Sequence, residues 1–279
     1  MKNLLSRMNK PLISIITINY NNLEGLKKTM SSVFEQTLQE FEYIVIDGGS
    51  TDGSTEYIER HKDKIDYWVS EKDSGIYNAM NKGIKVATGE YMLFLNSGDW
   101  LYENTVLDKI ADKLSGCDVL YGNMVKVFPN GKQLLDKGVN GNEITFKTFA
   151  DGTLNHSSSL IKRDLFIKYG FYDENLKIVS DWKFFLITLG LNNAVIKYVD
   201  YSLSYFDMTG ISNSNIKLRN NERLKVLREE IPFPIYADYL KFKEQEKKLN
   251  SPRIKKFIKT DNNRISRKLH SVIFRIFSK

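Results

Sequence analysis

The sequence has little cysteine, histidine or proline: among its 279 residues are one Cys, three His and five Pro. A single cysteine, Cys117, excludes a disulfide within the chain and a cysteine-based metal site, so the composition suits a reducing compartment. No apolar run approaches the roughly 20 residues that span a bilayer, and the first ten residues lack the apolar core of a secretory signal. We therefore expect a cytoplasmic protein that does not cross a membrane by itself.

Basic residues are concentrated at one end of the chain. Residues 241–279 hold 13 Lys and Arg against 3 Asp and Glu, whereas residues 1–100 hold 11 against 14. The net charge of +7 therefore arises in the C-terminal segment. A neutral body with a basic end argues against a nucleic-acid binder and favours contact with a local anionic surface.

The first hundred residues alternate between two hydrophobic patterns. Runs typical of strands occur at 12–18, 43–46, 66–69 and 91–95, and runs typical of helices lie between them at 23–34, 55–61 and 75–87. Strands that alternate with helices in this way predict a mostly parallel sheet with helices on both faces.

The pattern is looser in the rest of the chain. Further elements are predicted as a hairpin from 119–127 and 132–136, strands at 157–161 and 194–199, and a helix at 181–189. From about residue 214 the sequence becomes helical and polar. It ends in an amphipathic helix whose apolar face carries Ile265, Leu269, Val272, Ile273 and Ile276.

Polar and small residues follow the predicted strands of the first half. In an open α/β sheet, ligands bind outside the carboxyl ends of the strands. Each of these segments alone could be a loop with a helix cap, because Gly takes unusual backbone angles and Ser or Asp caps free amides. Together they predict one binding site, formed by Thr17, Asn19, Tyr20, Asp47, Gly49, Ser50, Asp73, Asn96, Ser97, Gly98 and Asp99.

Four segments carry a resemblance to a known family: 15–21 (IITINYN), 47–54 (DGGSTDGS), 71–84 (EKDSGIYNAMNKGI) and 95–99 (LNSGD). In this order they resemble the inverting GT-A glycosyltransferases of family 2, in the bacterial O-antigen and exopolysaccharide branch. The resemblance implies a GT-A fold, which is α/β and Rossmann-like with a mostly parallel central sheet flanked by helices, followed here by a C-terminal helical extension.

The same resemblance implies a division of the chain and an activity. Residues 1–213 would form the catalytic domain, in which 11–100 bind the nucleotide sugar and 101–213 the acceptor, and residues 214–279 the helical basic extension. The expected activity moves a hexose or N-acetylhexosamine from a UDP-sugar to a saccharide acceptor in bacterial surface polysaccharide synthesis. That acceptor is expected to be linked to a polyprenyl diphosphate.

By this resemblance, Tyr20 would lie against the nucleotide base, Asp47 would bond the uracil edge, and Asp73 would lie near the ribose or donor sugar. A carboxylate suits a uracil N–H because it only accepts hydrogen bonds. Lys82 is a candidate contact for the diphosphate, although an exposed helix lysine is the commoner explanation. The remaining contacts to the nucleotide sugar would come from Thr17, Asn19, Gly49, Ser50, Asn96, Ser97 and Gly98.

The acidic turn 96–99 matches the family's Asp-x-Asp metal motif imperfectly, because Asp99 is its only carboxylate. Mn²⁺ or Mg²⁺ held by Asp99 and phosphate oxygens would neutralise charge on the departing UDP. With so few protein ligands, the diphosphate and water must supply much of the coordination. The missing acid also leaves an alternative open, a nucleotide-sugar-binding protein with impaired catalysis.

Asp181 matches the position of the family's base, which takes the proton of the acceptor hydroxyl. It also begins a predicted helix, where a first-turn acid is favoured by the helix dipole. His156 and Trp182 are candidate acceptor or phosphate contacts, and a hydrogen-bonded structural histidine explains His156 equally well. Residues 207–212 resemble the family's flexible segment, which closes over the donor diphosphate.

Two other enzyme classes lack their motif here. A nucleotidyltransferase would need a Gly-rich, basic loop after the first strand, and a nicotinamide dehydrogenase would need G-x-G-x-x-G. The final helix could lie on an anionic membrane, pair with a second protomer in a homodimer, or pack on the domain. We favour the membrane surface, which predicts a peripheral protein at the inner face of the cell membrane.

Overall fold

A computed structural model describes residues 10–138, 144–210 and 215–277. The chain divides into two compact units, Met1–Arg223 and Leu224–Lys279. The first unit thus extends ten residues beyond the boundary predicted at residue 213, which itself lies outside the described residues. The predicted closing segment 207–212 is likewise described only as far as Gly210.

The first half of the larger unit has the predicted alternation of strands and helices. Its elements are β1 (Ile13–Asn19), α1 (Leu23–Phe34), β2 (Glu42–Asp47), α2 (Ser54–Arg60), β3 (Tyr67–Ser70), α3 (Ile76–Val86) and β4 (Tyr91–Phe94). All seven residues of β1 are buried, as expected for a parallel strand that is covered on both faces.

The second half contains shorter elements and one long strand. They are β5 (Trp100–Leu101), α4 (Val106–Ala111), β6 (Val119–Val127), β7 (Gln133–Asp136), α5 (Phe146–Asp151), β8 (Ser159–Lys162), α6 (Arg163–Tyr169), α7 (Ser180–Phe185), β9 (Ile196–Asp207) and α8 (Ile216–Glu230). The helix predicted at 181–189 ends at Phe185 and continues as a π-helical segment, Leu186–Leu191. The strand predicted at 194–199 is the start of β9.

The described strands form one sheet in the order β3-β2-β1-β4-β8-β6-β9-β5, with β7 paired to β6. The GT-A-like α/β fold is confirmed, and β1 to β4 are parallel as predicted. Across the whole sheet, however, the pairing is mixed, because β8 is antiparallel to both β4 and β6. The predicted hairpin is confirmed as the antiparallel pair β6 and β7.

The smaller unit consists of helices with exposed apolar residues. Beyond the end of α8 they are α9 (Phe233–Leu249), α10 (Pro252–Asp261) and α11 (Arg264–Phe277). Phe257 of α10 contacts the rings of His270 and Phe274 of α11, with ring centroids 4.5 and 5.6 Å apart. The five predicted apolar-face residues of α11 are 42–73% exposed. Among the helices described, none is long and apolar enough to cross a membrane.

Candidate active site

The carboxyl ends of the first strands bring polar side chains to one edge of the sheet. Asn19 ends β1 and is paired in register with Asp47, which ends β2 and is paired in turn with Ser70 at the end of β3. Asn96 follows β4, the other neighbour of β1. The parallel register therefore aligns these residues at the same edge, where ligands bind in open α/β sheets.

The Asp47 carboxylate organises this edge from the inside. Its Oδ1 accepts hydrogen bonds from Asn19 Nδ2 at 2.8 Å and Ser50 Oγ at 2.6 Å. Its Oδ2 accepts from the Ser50 backbone at 2.9 Å, Ser70 Oγ at 2.6 Å and Thr55 Oγ1 at 3.2 Å. Burial would raise the pKa of Asp47, but these hydrogen bonds outweigh it and hold that pKa below its usual value. A bond to uracil would have to replace one of them.

Tyr20, Gly48 and Asp73 form the open wall of this edge. The Tyr20 side chain is 66% exposed, as a ring that stacks on a base requires. A Cβ on Gly48 would lie 2.5 Å from Asp73 Oδ2 and 3.2 Å from Tyr20 Cδ2, so a larger residue there would require the Asp73 carboxylate to move. Asp73 Oδ1 accepts from the Gly75 backbone at 2.9 Å, directly before α3. The structure thus brings the predicted base and ribose contacts together.

Three predicted contacts are already engaged within the protein. The Thr17 hydroxyl is buried, 3.1 Å from the hydroxyl of Tyr43. The Trp182 ring is buried, and its Nε1 donates to the Phe149 carbonyl at 2.7 Å. The Lys82 ammonium pairs with Glu71 at 2.8 Å. Thr17 and Trp182 are therefore interior residues that the structure does not bring into the open site.

The acidic turn 96–99 is held in shape by α1 and by the residue before it. The Thr29 hydroxyl donates to the Asp99 carbonyl at 2.6 Å and accepts from the Gly98 backbone at 3.0 Å. Asn22 Nδ2 donates to the Ser97 carbonyl at 3.1 Å. Because these bonds fix the backbone, the turn presents the Asn96 and Asp99 side chains in set positions.

Asp99 is a buried carboxyl, and within the described part of the chain no cationic side chain donates a hydrogen bond to it. It is 4% exposed, and its Oδ1 accepts from the Asp207 backbone at 2.9 Å. Burial raises the pKa of Asp99 to about 7. In the same turn, the buried Asn96 Oδ1 has no hydrogen-bond partner among the described residues. Two oxygen donors in need of a positive partner suit a hard divalent cation such as Mg²⁺ or Mn²⁺.

The protein ligands present are too few to hold such an ion alone. Within 10–138, 144–210 and 215–277, no three His, Cys, Asp or Glu side chains lie close enough to form a metal site. The donor set therefore fits an ion whose coordination is completed by phosphate oxygens and water, as Mg²⁺ commonly is in nucleotide-binding sites.

Asp181 lies in the first turn of α7 and has a partner on each carboxylate oxygen. Its Oδ1 accepts from the Tyr77 hydroxyl at 2.8 Å, and its Oδ2 is 3.0 Å from His156 Nδ1. On the other side of the imidazole ring, His156 Nε2 is 3.1 Å from Asn96 Nδ2. When the imidazole is neutral and carries its proton on Nδ1, Nε2 accepts from Asn96 Nδ2, and a continuous chain of hydrogen bonds joins Asp181 to the acidic turn.

Asp181 and His156 each shift the pKa of the other. Burial would raise the pKa of Asp181, but the hydrogen bonds from His156 and Tyr77 and the charge of His156 outweigh it and lower that pKa. Burial would also lower the pKa of His156, but the hydrogen bond and charge of Asp181 raise it. Their side chains are only 18% and 16% exposed. The Asp181 carboxylate is therefore held ionised and oriented.

A family model and a curated relative identify the chain. The model described as Glycosyl transferase family 2 matches residues 14–170, more than half of the sequence. An uncharacterized glycosyltransferase of Mycobacterium tuberculosis is 33% identical over 210 residues, which cover 73% of this chain and 78% of the relative. The chain belongs to glycosyl transferase family 2. It is a transferase enzyme.

Two further likenesses accompany this family membership. The cholesterol galactosyltransferase of Borreliella burgdorferi is 27% identical over 243 residues, which cover 78% of this chain and 66% of that protein. Among solved structures, residues 1–349 of Staphylococcus aureus TarS in complex with UDP-GlcNAc give a TM-score of 0.63 at 22% identity. That match covers 77% of this chain and 64% of the TarS chain, and it shows that the two folds are alike.

Tyr77 and Gly48 are functional candidates of this family 2 site that sequence reasoning did not single out. Both stand inside the segments that carry the family resemblance: Gly48 directly follows Asp47, and Tyr77 lies four residues after Asp73. Tyr77 touches a residue 104 positions away, so no local pattern gives its role. The position of Gly48 becomes informative only once the side chains of Tyr20 and Asp73 are known to lie close to it.

Proposed function

We propose that this glycosyltransferase moves a hexose or an N-acetylhexosamine from a UDP-sugar to a saccharide acceptor by a single inverting displacement. The observation that carries the proposal is the hydrogen-bonded chain from Asp181 through His156 to Asn96, because it joins a held carboxylate to the acidic turn. Residues 1–213 would form the catalytic domain, with 11–100 binding the donor and 101–213 the acceptor.

In this displacement, Asp181 would act as the base. Each carboxylate oxygen can accept more than one hydrogen bond, so the bonds from Tyr77 and His156 leave capacity for an acceptor hydroxyl. As the acceptor oxygen forms its bond to the anomeric carbon, its proton passes to Asp181 and the bond to the diphosphate breaks with its electrons going to UDP. His156 and Tyr77 would keep the carboxylate aimed throughout the step.

The donor would lie along the strand ends, with its base against Tyr20 and its ribose or sugar near Asp73. Asn19, Gly49 and Ser50 would shape the loop beneath it, while Asn96, Ser97 and Gly98 would flank the diphosphate. A Mn²⁺ or Mg²⁺ ion held by Asp99 would neutralise charge on the departing diphosphate. Release of UDP from the donor should therefore need the ion.

A catalytically impaired nucleotide-sugar-binding protein is the second candidate. The observation that favours it is the missing first acid of the turn, whose position is taken by Asn96 or by the Ser97-Gly98 pair. UDP release from a panel of UDP-sugars, measured with Mn²⁺ and again after adding EDTA, separates the two. We expect slow hydrolysis with Mn²⁺ for at least one donor and none in EDTA. Nucleotide-sugar binding, seen as a thermal shift, without any Mn²⁺-dependent release would favour the second candidate.

The acceptor is proposed to be lipid-linked, a saccharide on a polyprenyl diphosphate used in O-antigen or exopolysaccharide synthesis. Two features support a membrane-bound acceptor: the net charge of +10 in residues 241–279 and the exposed apolar face of α11. Basic amphipathic helices of this kind lie in the interface of anionic membranes. The chain would then work at the inner face of the cell membrane.

Replacing both Leu269 and Ile273 by glutamate should release the protein from anionic vesicles. Both side chains are exposed, 59% and 42%, so the substitution adds charge to the apolar face without opening a core. We expect the unchanged protein to pellet with anionic vesicles and the double variant to remain in the supernatant.

The matched control for this experiment is Leu240→Glu in α9, a leucine that is 48% exposed in the same unit. It should pellet like the unchanged protein. If the double variant pellets equally well, or if the unchanged protein forms a dimer that the double variant loses, the membrane role of α11 is wrong.

A further inference from the structure

The end of β9 brings a second carboxylate to the acidic turn. β9 is antiparallel to β5, with Trp100 paired to Tyr205 and Leu101 to Ser204. The rings of Trp100 and Tyr205 stack with centroids 4.7 Å apart, which supports this register. Continuing the register by two residues sets Asp207, the last residue of β9, against Gly98.

Contacts confirm that Asp207 lies against the turn. Its backbone N–H donates to Asp99 Oδ1 at 2.9 Å. A Cβ added to Gly98 would lie 3.3 Å from Asp207 Oδ2, and Gly98 has a φ of +104°, which side chains rarely adopt. Glycine at this position therefore leaves room for the Asp207 carboxylate directly over the backbone of the turn.

The Asp207 carboxylate has a fixed orientation. Its Oδ1 accepts from the Thr209 backbone at 2.9 Å, which closes a small turn after β9. Its Oδ2 is the oxygen that faces Gly98. Two carboxylates that approach each other repel unless one is protonated or a cation lies near both, so a cation beside Asp99 would relieve this repulsion.

We propose that Asp207 supplies the second carboxylate of the metal site, in place of the first acid that the turn lacks. The inference rests on the proposed function, since it requires that a Mn²⁺ or Mg²⁺ ion accompany the donor diphosphate. The two carboxylates would then come from different parts of the chain, Asp99 after β4 and Asp207 after β9. Sequence motifs confined to the turn cannot reveal such a pair.

Asp207→Asn tests the proposal through the affinity for UDP, measured by calorimetry in saturating Mn²⁺ and in EDTA. The Kd for UDP in EDTA divided by the Kd in Mn²⁺ gives the factor by which the ion strengthens UDP binding. We expect the variant to reduce this ratio by at least about tenfold, the low end of losses seen when even outer partners of metal ligands are removed. In EDTA, the variant should bind UDP as well as or better than the unchanged protein, because one negative charge near the diphosphate is gone.

A metal ligand is distinguished from a structural residue by a variant that binds UDP more weakly in Mn²⁺ but not in EDTA. A purely structural Asp207 would weaken UDP binding equally with Mn²⁺ and with EDTA, which would overturn the proposal. The control is Asp200→Asn, an exposed carboxylate on the same strand that pairs with Lys137 at 3.4 Å; its Kd ratio should equal that of the unchanged protein.

The remaining outcomes separate this inference from the proposed function. If Mn²⁺ strengthens UDP binding by the same factor in Asp207→Asn and in the unchanged protein, only the role of Asp207 is wrong. If Mn²⁺ does not strengthen UDP binding to the unchanged protein, the proposed metal-dependent transfer is wrong, and the role of Asp207 is wrong with it.

Discussion

Asp181→Asn is expected to abolish sugar transfer while leaving UDP binding unchanged. The asparagine has nearly the same shape, but its amide cannot take a proton from the acceptor hydroxyl. General-base catalysis contributes roughly 10²- to 10⁴-fold to a rate, so turnover should fall at least by that factor. In the variant, either Tyr77 or His156 would also meet the amide N–H group of the asparagine and lose its hydrogen-bond acceptor. Turnover is measured as UDP release in the presence of acceptor, and UDP binding by calorimetry.

The control for this variant is Asp164→Asn. Asp164 is an exposed acid in the first turn of α6, so it shares with Asp181 any stabilisation that comes from a helix N-terminus. Transfer by the control should match that of the unchanged protein. If Asp181→Asn keeps substantial turnover, or loses no more than Asp164→Asn does, then Asp181 is a first-turn acid and not the base.

The βα alternation of the first half could be predicted because its signals are local. A buried strand and the amphipathic helix after it each need only about ten neighbouring residues to be recognised. The order of strands in the second half could not be predicted from the sequence. β8 lies between β4 and β6 in the sheet, and this placement depends on contacts between distant parts of the chain. β4 and β8 are also short and almost fully buried, so their sequences carry no alternation that distinguishes parallel from antiparallel pairing.

Site residues were predictable where the side chain is presented at a strand end, and unpredictable where a strand or helix is buried on all sides. Thr17 lies between Ile16 and Ile18, and all three are buried. A strand covered on both faces has no open face, so a polar residue in it bonds inside the core, as Thr17 does with Tyr43. Trp182 directly follows Asp181, but its place on the helix turns it into the interior.

The partners of the predicted base were beyond sequence reasoning for a different reason. Tyr77, His156 and Asn96 come from three separate segments, and only the folded chain brings them into one hydrogen-bonded chain with Asp181. The sequence predicted His156 and Asp181 as separate candidates. Their contact gives His156 a definite place, next to the base and next to the acidic turn.

Asp99→Ala is expected to be far more damaging to transfer than Asn96→Ala. In the proposed mechanism, a metal ion would stabilise the departing diphosphate by several kcal/mol. Each 1.4 kcal/mol corresponds to a tenfold change in rate, so losing the ion should cost about 10²-fold or more. Asn96→Ala removes one neutral oxygen and the hydrogen bond to His156, an effect of about 1 kcal/mol or roughly fivefold. Both are measured as UDP release at saturating Mn²⁺.

Loss of activity in Asp99→Ala should not come from unfolding, and the stability of the metal-free protein checks this. The folded pKa of Asp99, about 7, lies above the ordinary carboxyl value, so the folded state holds the proton more tightly than the unfolded state. The free energy of unfolding contributed by Asp99 is thus present at low pH and is lost as pH rises from about 4 to 7. Above pH 7 the buried charge carries its full penalty.

In EDTA at pH 8, Asp99→Ala should therefore melt at the same temperature as the unchanged protein or higher, although it has lost transfer. Adding Mn²⁺ and UDP should raise the melting temperature of the unchanged protein more than that of the variant, because the variant lacks one of the carboxylates that would hold the ion. A variant that melts well below the unchanged protein in EDTA would show that Asp99 supports the fold. Equal activity of Asp99→Ala and Asn96→Ala would show that the ion does not depend on Asp99.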